Sequence, residues 1–292
     1  MAARSDSSAP DPQQDGADAS QPGTGRGAAG RPAEDRHFVT ALARGLEVLS
    51  CFRSGSVLGN QELATRCGLP KSTVSRLTAT LTRLGYLIQI ADSGKFRLGT
   101  ATLSLGGAML SKLDVRQVAG PWMEELAAQC KVEVALGARD RLSMVYVEAS
   151  HGARSPAALL DVGARIPVAT TAMGRAWLSA IDAPEREEFL ERVRRRDAAA
   201  WPDVRRGIER SLHEHRTLGV TCSFGEWQPD VNGIACAVRP GDGLPPMAIS
   251  CGGPAARLSP RHLLAEVRPR LIALVARIED ALQPAGRSRW NG

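Results

Sequence analysis

The sequence predicts an α+β protein of two domains, a small winged helix-turn-helix followed by a larger mixed sheet domain. Three observations predict it. Residues 58–98, LGNQELATRCGLPKSTVSRLTATLTRLGYLIQIADSGKFRL, spell two short-to-medium helices around a glycine turn and then a hairpin. Beyond residue 114, apolar segments of strand length alternate with helical stretches to the end of the chain, the pattern of an α+β sheet domain with helices on one face. The chain of 292 residues is 43% hydrophobic and 23% charged; that is a globular composition, with length for two domains at roughly 100–200 residues each. No apolar run approaches the roughly 20 residues of a membrane span. The polar N-terminus does not resemble a signal peptide, so no membrane partner and a cytoplasmic location are expected.

Residues 1–36 contain no Leu, Ile, Val or aromatic side chain, so they are expected to form a disordered tail, with Arg26, Arg31 and Arg36 solvated or brushing DNA. From Phe38, the residues Leu42, Leu46, Leu49 and Phe52 recur on one side of a first helix and should close a small core. Asn60 is a suitable N-cap ahead of Glu62, Leu63 and Ala64, and Gly68 stands where a left-handed residue ends that helix. Pro70 restarts the chain at a first helical turn, where its missing N–H costs nothing. The next helix runs from about Lys71 to Leu84, with Val74, Leu77, Leu81 and Leu84 at the spacing of a buried stripe. Gly85 stops it. Tyr86 to Ile90 and Lys95 to Leu98 then read as a hairpin around Asp92-Ser93-Gly94.

The opposite face of the second helix holds Lys71, Ser72, Thr73, Ser75, Arg76, Thr80 and Arg83, with no acid among them; Lys95 and Arg97 follow on the hairpin's return strand. Hydroxyls and cations bond phosphate oxygens, and an arginine also reads guanine's two acceptors in the major groove. The formal charge of the whole chain is only +6. Between Phe38 and Thr100, eight cations stand against Glu47, Glu62 and Asp92, a net of +5, so most of the excess lies on this module. Double-stranded DNA bound with salt-sensitive affinity is the expected partner.

A linker helix is expected near residues 100–114, with Leu103, Leu110 and Leu113 beside Gly106 and Gly107, two glycines that would let another helix approach. After it come a helix over Asp114 to Gln129, strands at Val132 to Gly137 and Leu142 to Ala149, a strand ending at Pro167 and a helix over Ala172 to Ala180. Two charged helices, Pro184 to Arg196 and Asp203 to Leu218, read as solvated outer layers. Strands at Val220 to Phe224, Gly233 to Val238 and Met247 to Cys251 precede a closing amphipathic helix over Arg261 to Leu282.

Two loops of this domain are candidates for a ligand site. In DVGARIPVATTAMGRA, Thr170 or Thr171 caps a helix that Ala172, Met173 and Gly174 open with little bulk; free N–H groups at a helix start suit a carboxylate. A plain cap with close packing at Gly174 accounts for the same residues. In TCSFGEW and AISCGGP, Ser223, Glu226 and Ser250 place polar groups beside apolar strands, as small-ligand pockets do. The six cysteines are scattered singly, with no close pair in sequence, and read as reduced and mostly buried. His213 and His215 with Cys222 make a poor metal set, since residues two apart on a helix diverge. No metal, no cofactor and no catalytic residue is expected.

Taken together, RGLEVLSCF, LATRCGLPKSTVSRLTATLTRLGYL, KFRLG, GARIPVATTAMGRA, and GVTCSFGE followed by GIACAV resemble the IclR family of bacterial transcriptional regulators, from about Phe38 to Leu282. The resemblance implies a winged helix-turn-helix over residues 37–99, a linker helix over 100–114 that dimerises, a GAF-like effector-binding domain over 115–284 and a tail over 285–292, assembled as a homodimer or dimer of dimers. It also implies an effector pocket at Ala172, Met173, Ser223, Gly233, Ser250 and Gly252. Effector identity does not transfer with the family; the N–H groups and hydroxyls converging there lead us to expect a small organic or aromatic acid that controls operator affinity. Ser223 replaces an acidic residue of some members, Gly233 a cysteine, and Ala237 a common proline, so this pocket has fewer polar side chains. Two other readings remain at this point. One is a sensor module with no DNA role; the other is a hydrolase using Cys251 before Gly252-Gly253, with His262 nearby and no base or orienting acid placed by any motif.

Overall fold

The computed structural model describes residues 38–52, 56–110, 114–152, 160–241 and 243–283. The expected tails at 1–36 and 285–292, and Leu113 of the linker, lie outside the described residues. The described residues from Leu42 onward belong to one compact unit.

The N-terminal module comprises α1 (Thr40–Ser50), α2 (Asn60–Cys67), α3 (Lys71–Arg83) and a hairpin of β1 (Leu87–Gln89) and β2 (Phe96–Leu98). Val48, Phe52, Leu58, Leu63, Val74, Leu81, Leu87 and Phe96 form its core. Three details differ from the sequence reading. Gly59, in an extended conformation, is the N-cap of α2, and its N–H donates to Glu62 Oε2 at 2.8 Å. Asn60 instead ties α2 to α3, accepting from the Thr78 hydroxyl at 3.1 Å and donating to the Ser75 hydroxyl at 3.3 Å. Thr78 is thereby buried in the α3 stripe, while Leu84, past the last helical turn, is exposed. On α1 the buried side is Val48 with half-buried Leu49; Phe38, Leu42 and Leu46 are exposed, so the first helix has a second, uncovered apolar face. Gly68 takes the left-handed C-cap (φ 63°), and Leu69 N–H closes back on the Ala64 carbonyl at 3.1 Å.

The linker helix is α4 (Thr100–Leu110), followed by α5 (Asp114–Cys130). A Cβ added at Gly106 or Gly107 would meet nothing within 4 Å, so no helix among the described residues uses their closeness.

The larger domain is a six-stranded antiparallel sheet in the order β5-β4-β3-β8-β7-β6. Its strands are β3 (Glu133–Asp140), β4 (Ser143–His151), β5 (Arg165–Pro167), β6 (Thr221–Phe224), β7 (Val231–Val238) and β8 (Met247–Pro254). Helices α6 (Ala172–Ala180), α7 (Ala183–Arg196) and α8 (Trp201–Leu218) lie between β5 and β6 in the chain, and a closing helical segment follows β8. That segment is not one uniform helix. A short α9 (Pro260–His262) and a π turn (Leu263–Val267) precede α10 (Arg268–Leu282). Pro269 explains the widened turn: it has no N–H for the carbonyl four residues back, and its ring would clash there.

Helices cover both faces of the sheet, not one. Val134, Leu136, Ile234, Cys236, Met247, Ile249 and Cys251 pack with α5 and α10 residues such as Met123, Leu126, Leu271 and Ile278. Alternate positions, Ala135, Ala235 and Ala248, pack with Met173, Trp177, Phe189 and Ile208 of α6, α7 and α8. The alternation of a strand thus gives two unlike surfaces, one of bulky aliphatic groups and one of small residues. Helices α7 and α8 are solvated only on their outer sides.

Candidate DNA-binding and ligand-binding sites

On α3, Lys71, Ser72, Ser75, Arg76, Thr80 and Arg83 are exposed and Thr73 is half-buried, opposite the Val74, Thr78 and Leu81 side. Lys71, Arg76 and Arg83 have no ion-pair partner among the described residues. The hydroxyls are partly engaged: Ser75 accepts from Asn60, and Thr80 donates to the Arg76 carbonyl at 2.9 Å. On the wing, Arg97 is exposed opposite Ile88, while Lys95 sits 3.7 Å from Glu62. The Gly59 amide and Lys95 hold the Glu62 carboxyl below its usual range, so Lys95 divides its charge between an intramolecular acid and any phosphate. The α3 face itself remains acid-free.

In the sheet domain, a cavity of about 70 Å³ lies between the small-residue face and the start of α6. That is room for roughly five waters. Of the residues expected there, Thr171, Ala172, Met173, Ser223, Gly233, Ser250 and Gly252 line it. Strand register explains why: Glu133, Gly252, Gly233 and Ser223 stand side by side across β3, β8, β7 and β6, with Ala135, Ser250 and Ala235 in the next such row. Glycine at 252 keeps the row flat, because a Cβ there would lie 2.7 Å from the Asn232 carbonyl oxygen.

Thr171 caps α6, accepting from the Gly174 N–H at 3.2 Å and donating to the Pro167 carbonyl at 2.6 Å. The amides of Ala172 and Met173, first in the helix, have no intrahelical acceptor, and both residues line the cavity. Ser223 donates to the Thr170 carbonyl at 2.8 Å and Thr221 to the Ala172 carbonyl at 2.8 Å, so β6 holds the turn from both sides.

Two expected residues stand outside the cavity. The N–H of Gly174 is spent on the cap, and a Cβ there would collide with the Val168 backbone; its role is close packing. Glu226 points away, to Arg175 at 2.8 Å and Arg210 at 2.7 Å. Arg175 is 1% exposed and fully occupied. Its Nε donates to the Ala169 carbonyl at 3.0 Å, Nη1 to Ser211 Oγ and the Cys222 carbonyl at 3.2 Å each, and Nη2 to Glu226. Burial raises the Glu226 carboxyl, but the two guanidinium groups outweigh it and hold it below its usual range. This clamp fastens α6 to α8 and β6 behind the cavity.

Sequence reasoning missed Tyr146, His151, Trp227 and Asn232, which also line the cavity. Register passes from Glu148 opposite Leu136 to Tyr146 opposite Gly137, leaving Val147 as an extra residue. This bulge reverses the alternation of β4, so Tyr146, Ala149 and His151 all face the cavity. Burial pushes the Tyr146 hydroxyl up, against the opposing effect of its hydrogen bond with Ser250, and the Glu133 charge adds to the rise. His151 Nδ1 is buried with no hydrogen-bond partner among the described residues. Simple alternation along β4 cannot place Tyr146 on the same side as Ala149 and His151, and nothing local in the sequence marks the bulge.

Cys251 is fully buried, and desolvation pushes its thiol far up, an environment in which a thiolate nucleophile is costly. Among the described residues no group of three or more His, Cys, Asp or Glu side chains could hold a metal ion, and no helix is long and apolar enough to cross a membrane.

Residues 41–90 match the family model for the IclR helix-turn-helix domain, and residues 107–279 match that for the bacterial transcriptional regulator IclR C-terminal domain. The HTH-type transcriptional regulator TsaQ1/TsaQ2 of Comamonas testosteroni is 36% identical over 253 residues, 85% of this chain and 90% of the relative. Among solved structures, an IclR family transcriptional regulator from Brucella abortus is 46% identical and superposes with a TM-score of 0.75 over 87% of this chain and 96% of its own. An IclR homologue from Microbacterium hydrocarbonoxydans, solved in complex with 4-hydroxybenzoate, shares the fold at 23% identity, with a TM-score of 0.65 over 83% of this chain and 98% of its own.

Proposed function

The chain belongs to the IclR family of bacterial transcriptional regulators, and from that premise we propose that it binds operator DNA through α3 and the wing while a small organic or aromatic acid occupies the sheet-domain cavity and sets the affinity. The observation that carries the reading is the exposed, acid-free face of α3, where Lys71, Arg76 and Arg83 have no acidic partner among the described residues. Such a set of cations and hydroxyls suits phosphate and guanine.

The effector assignment rests on the free amides of Ala172 and Met173 above a floor of small residues. A carboxylate accepts from those amides while an apolar or aromatic body lies over Ala135, Gly233 and Gly252. Tyr146, Ser250 and His151 offer polar contacts to a hydroxyl elsewhere on such a ligand. The 4-hydroxybenzoate complex of the Microbacterium homologue belongs to the same chemical class.

A homodimer is the working assembly of this reading, since Leu42 and Leu46 on α1 and Leu103 and Leu105 on α4 expose apolar area that the chain does not cover. Domain limits at about residues 37–99, 100–114 and 115–284, a cytoplasmic location and the lack of catalytic activity belong to the same reading. A gel shift with the DNA upstream of the protein's own gene, repeated across a thermal-shift panel of small organic acids, tests it. No shifted duplex at low salt, or no acid that both stabilises the protein and alters the shift, counts against it.

A further inference from the structure

Four cysteines, Cys130, Cys222, Cys236 and Cys251, are buried, whereas Cys51 and Cys67 are only half-buried. Cys51 follows the last turn of α1 and Cys67 ends α2, yet their Sγ atoms lie 3.2 Å apart across sixteen residues of sequence. Docking of two helix ends brings them together. The Arg66 guanidinium, donating to the Cys51 carbonyl at 3.1 Å, braces the same junction. A disulfide requires sulfurs about 2.05 Å apart, so the pair is roughly one ångström of side-chain movement from a bond. We propose that Cys51 and Cys67 are a reversible disulfide site through which a peroxide alters the setting of the DNA-reading helix. The chemistry stands on this geometry alone; only its consequence rests on the DNA-binding reading above.

The location gives the bond leverage. Cys67 directly precedes Gly68, whose left-handed turn directs the chain into Pro70 and α3. Drawing Cys67 toward Cys51 shifts that turn and, with it, the angle of α3 to α1. Cys51 Sγ also lies within hydrogen-bonding distance of the Glu47 carbonyl, at 3.5 Å. Burial and the contact with Cys51 push the Cys67 thiol up to about 12. Either sulfur can attack first with the same balance. When Cys51 does, its thiolate takes one oxygen of hydrogen peroxide as the O–O bond breaks, giving a sulfenic acid and a hydroxide that leaves as water with the proton Cys51 gave up. The Cys67 sulfur then attacks the sulfenic sulfur, the S–O bond breaks, and hydroxide departs with the Cys67 proton as a second water. Two thiols become one disulfide while one peroxide becomes two waters, and a dithiol reductant reverses the change by exchange.

The full-length protein, reduced and then treated with hydrogen peroxide, decides the matter by peptide mass mapping of its thiols alongside a gel shift on the DNA upstream of its own gene. The expected result is a link between the Cys51 and Cys67 peptides, with the four buried cysteines still thiols. Operator affinity should fall by about tenfold, the worth of one base or phosphate contact, and dithiothreitol should restore it. Cys67→Ser and Cys51→Ala, each melting like the reduced parent, should bind DNA normally and ignore peroxide. A linked pair with unchanged affinity overturns the switch. Overoxidation of Cys51 without a link, or a peroxide response that persists in both variants, overturns the pairing. If the reduced parent fails to shift the duplex, the DNA-binding reading fails, and the mass map still decides the disulfide.

Discussion

Replacing Arg175 with methionine should destabilise the sheet domain by about 3 kcal/mol, the low end of the cost of breaking a buried ion pair. The variant fills much of the same space but donates nothing. The Ala169 carbonyl loses its guanidinium donor and Glu226 loses one of its two cations, while the Cys222 carbonyl keeps the Ser211 hydroxyl at 3.1 Å. A buried acceptor left without a donor costs about 1–3 kcal/mol. Glu226 retains Arg210 and is 28% exposed, so water screens part of its loss. At about 2–4 °C per kcal/mol for a domain of this size, the transition should fall by roughly 6–12 °C. All five tryptophans, Trp122, Trp177, Trp201, Trp227 and Trp290, follow the winged module in the chain, so tryptophan fluorescence in a urea titration reports this domain within the intact protein. A midpoint within experimental error of the parent would refute the view that the clamp holds α6 to α8 and β6.

Arg76→Ala and Lys71→Ala should each weaken operator binding without lowering the melting temperature; if each meets a phosphate, the salt slope falls by about one unit, as a titration of affinity against salt would read. Ser250→Leu, which fills the cavity and removes the partner of Tyr146, should abolish binding of the acid that stabilises the parent yet leave DNA binding intact, as calorimetry and gel shift together would show. The Glu226 carboxyl lies below its ordinary value of 4.5 in the folded protein. Its contribution is therefore present above that value and is lost as pH falls through the folded value beneath it. Urea midpoints should drop more steeply below pH 4.5 in the parent than in Glu226→Gln. Leu42→Glu with Leu46→Glu should shift the molecular mass measured by light scattering toward the monomer; an unchanged mass places the contact elsewhere.

The winged module was legible because its signals are local. Gly68, Pro70 and Gly85 punctuate the chain at the positions where the backbone turns, and the α3 stripe lies within one helix. Where the stripe was misread, at Leu84, the helix had ended one residue earlier. The first helix was harder, since Val48 faces the core while Leu42 and Leu46, equally apolar, face away; composition cannot tell one apolar side from the other. In the sheet domain most elements were found near their true limits, and seven of the nine candidate ligand contacts line the cavity. Glu226 was misassigned because its partner Arg175 lies 51 residues earlier in sequence. Tyr146 and His151 were missed because one bulged residue, Val147, reverses the alternation that a reader of β4 would assume. The covering of both sheet faces was also hidden, as the charge of α7 and α8 advertises their outer sides only.

The unlike faces of the sheet determine what kinds of genetic change this sensor tolerates. Along β8, Met247, Ile249 and Cys251 serve the aliphatic core, while Ala248, Ser250 and Gly252 serve the opposite side. Neighbouring codons therefore answer to separate selective pressures. Gly252 is held by the Asn232 carbonyl that a Cβ would meet and Ala248 by its packing in the second core, whereas substitution at Ser250 alters the cavity wall and leaves the aliphatic core against α5 and α10 intact. Insertion or deletion within β7 or β8 has no such freedom: a shift of one residue exchanges the two surfaces, driving bulky groups into the cavity and glycine and serine against α5 and α10. Related sensors built on this sheet should thus differ in these strands by replacement and differ in length only at the loops.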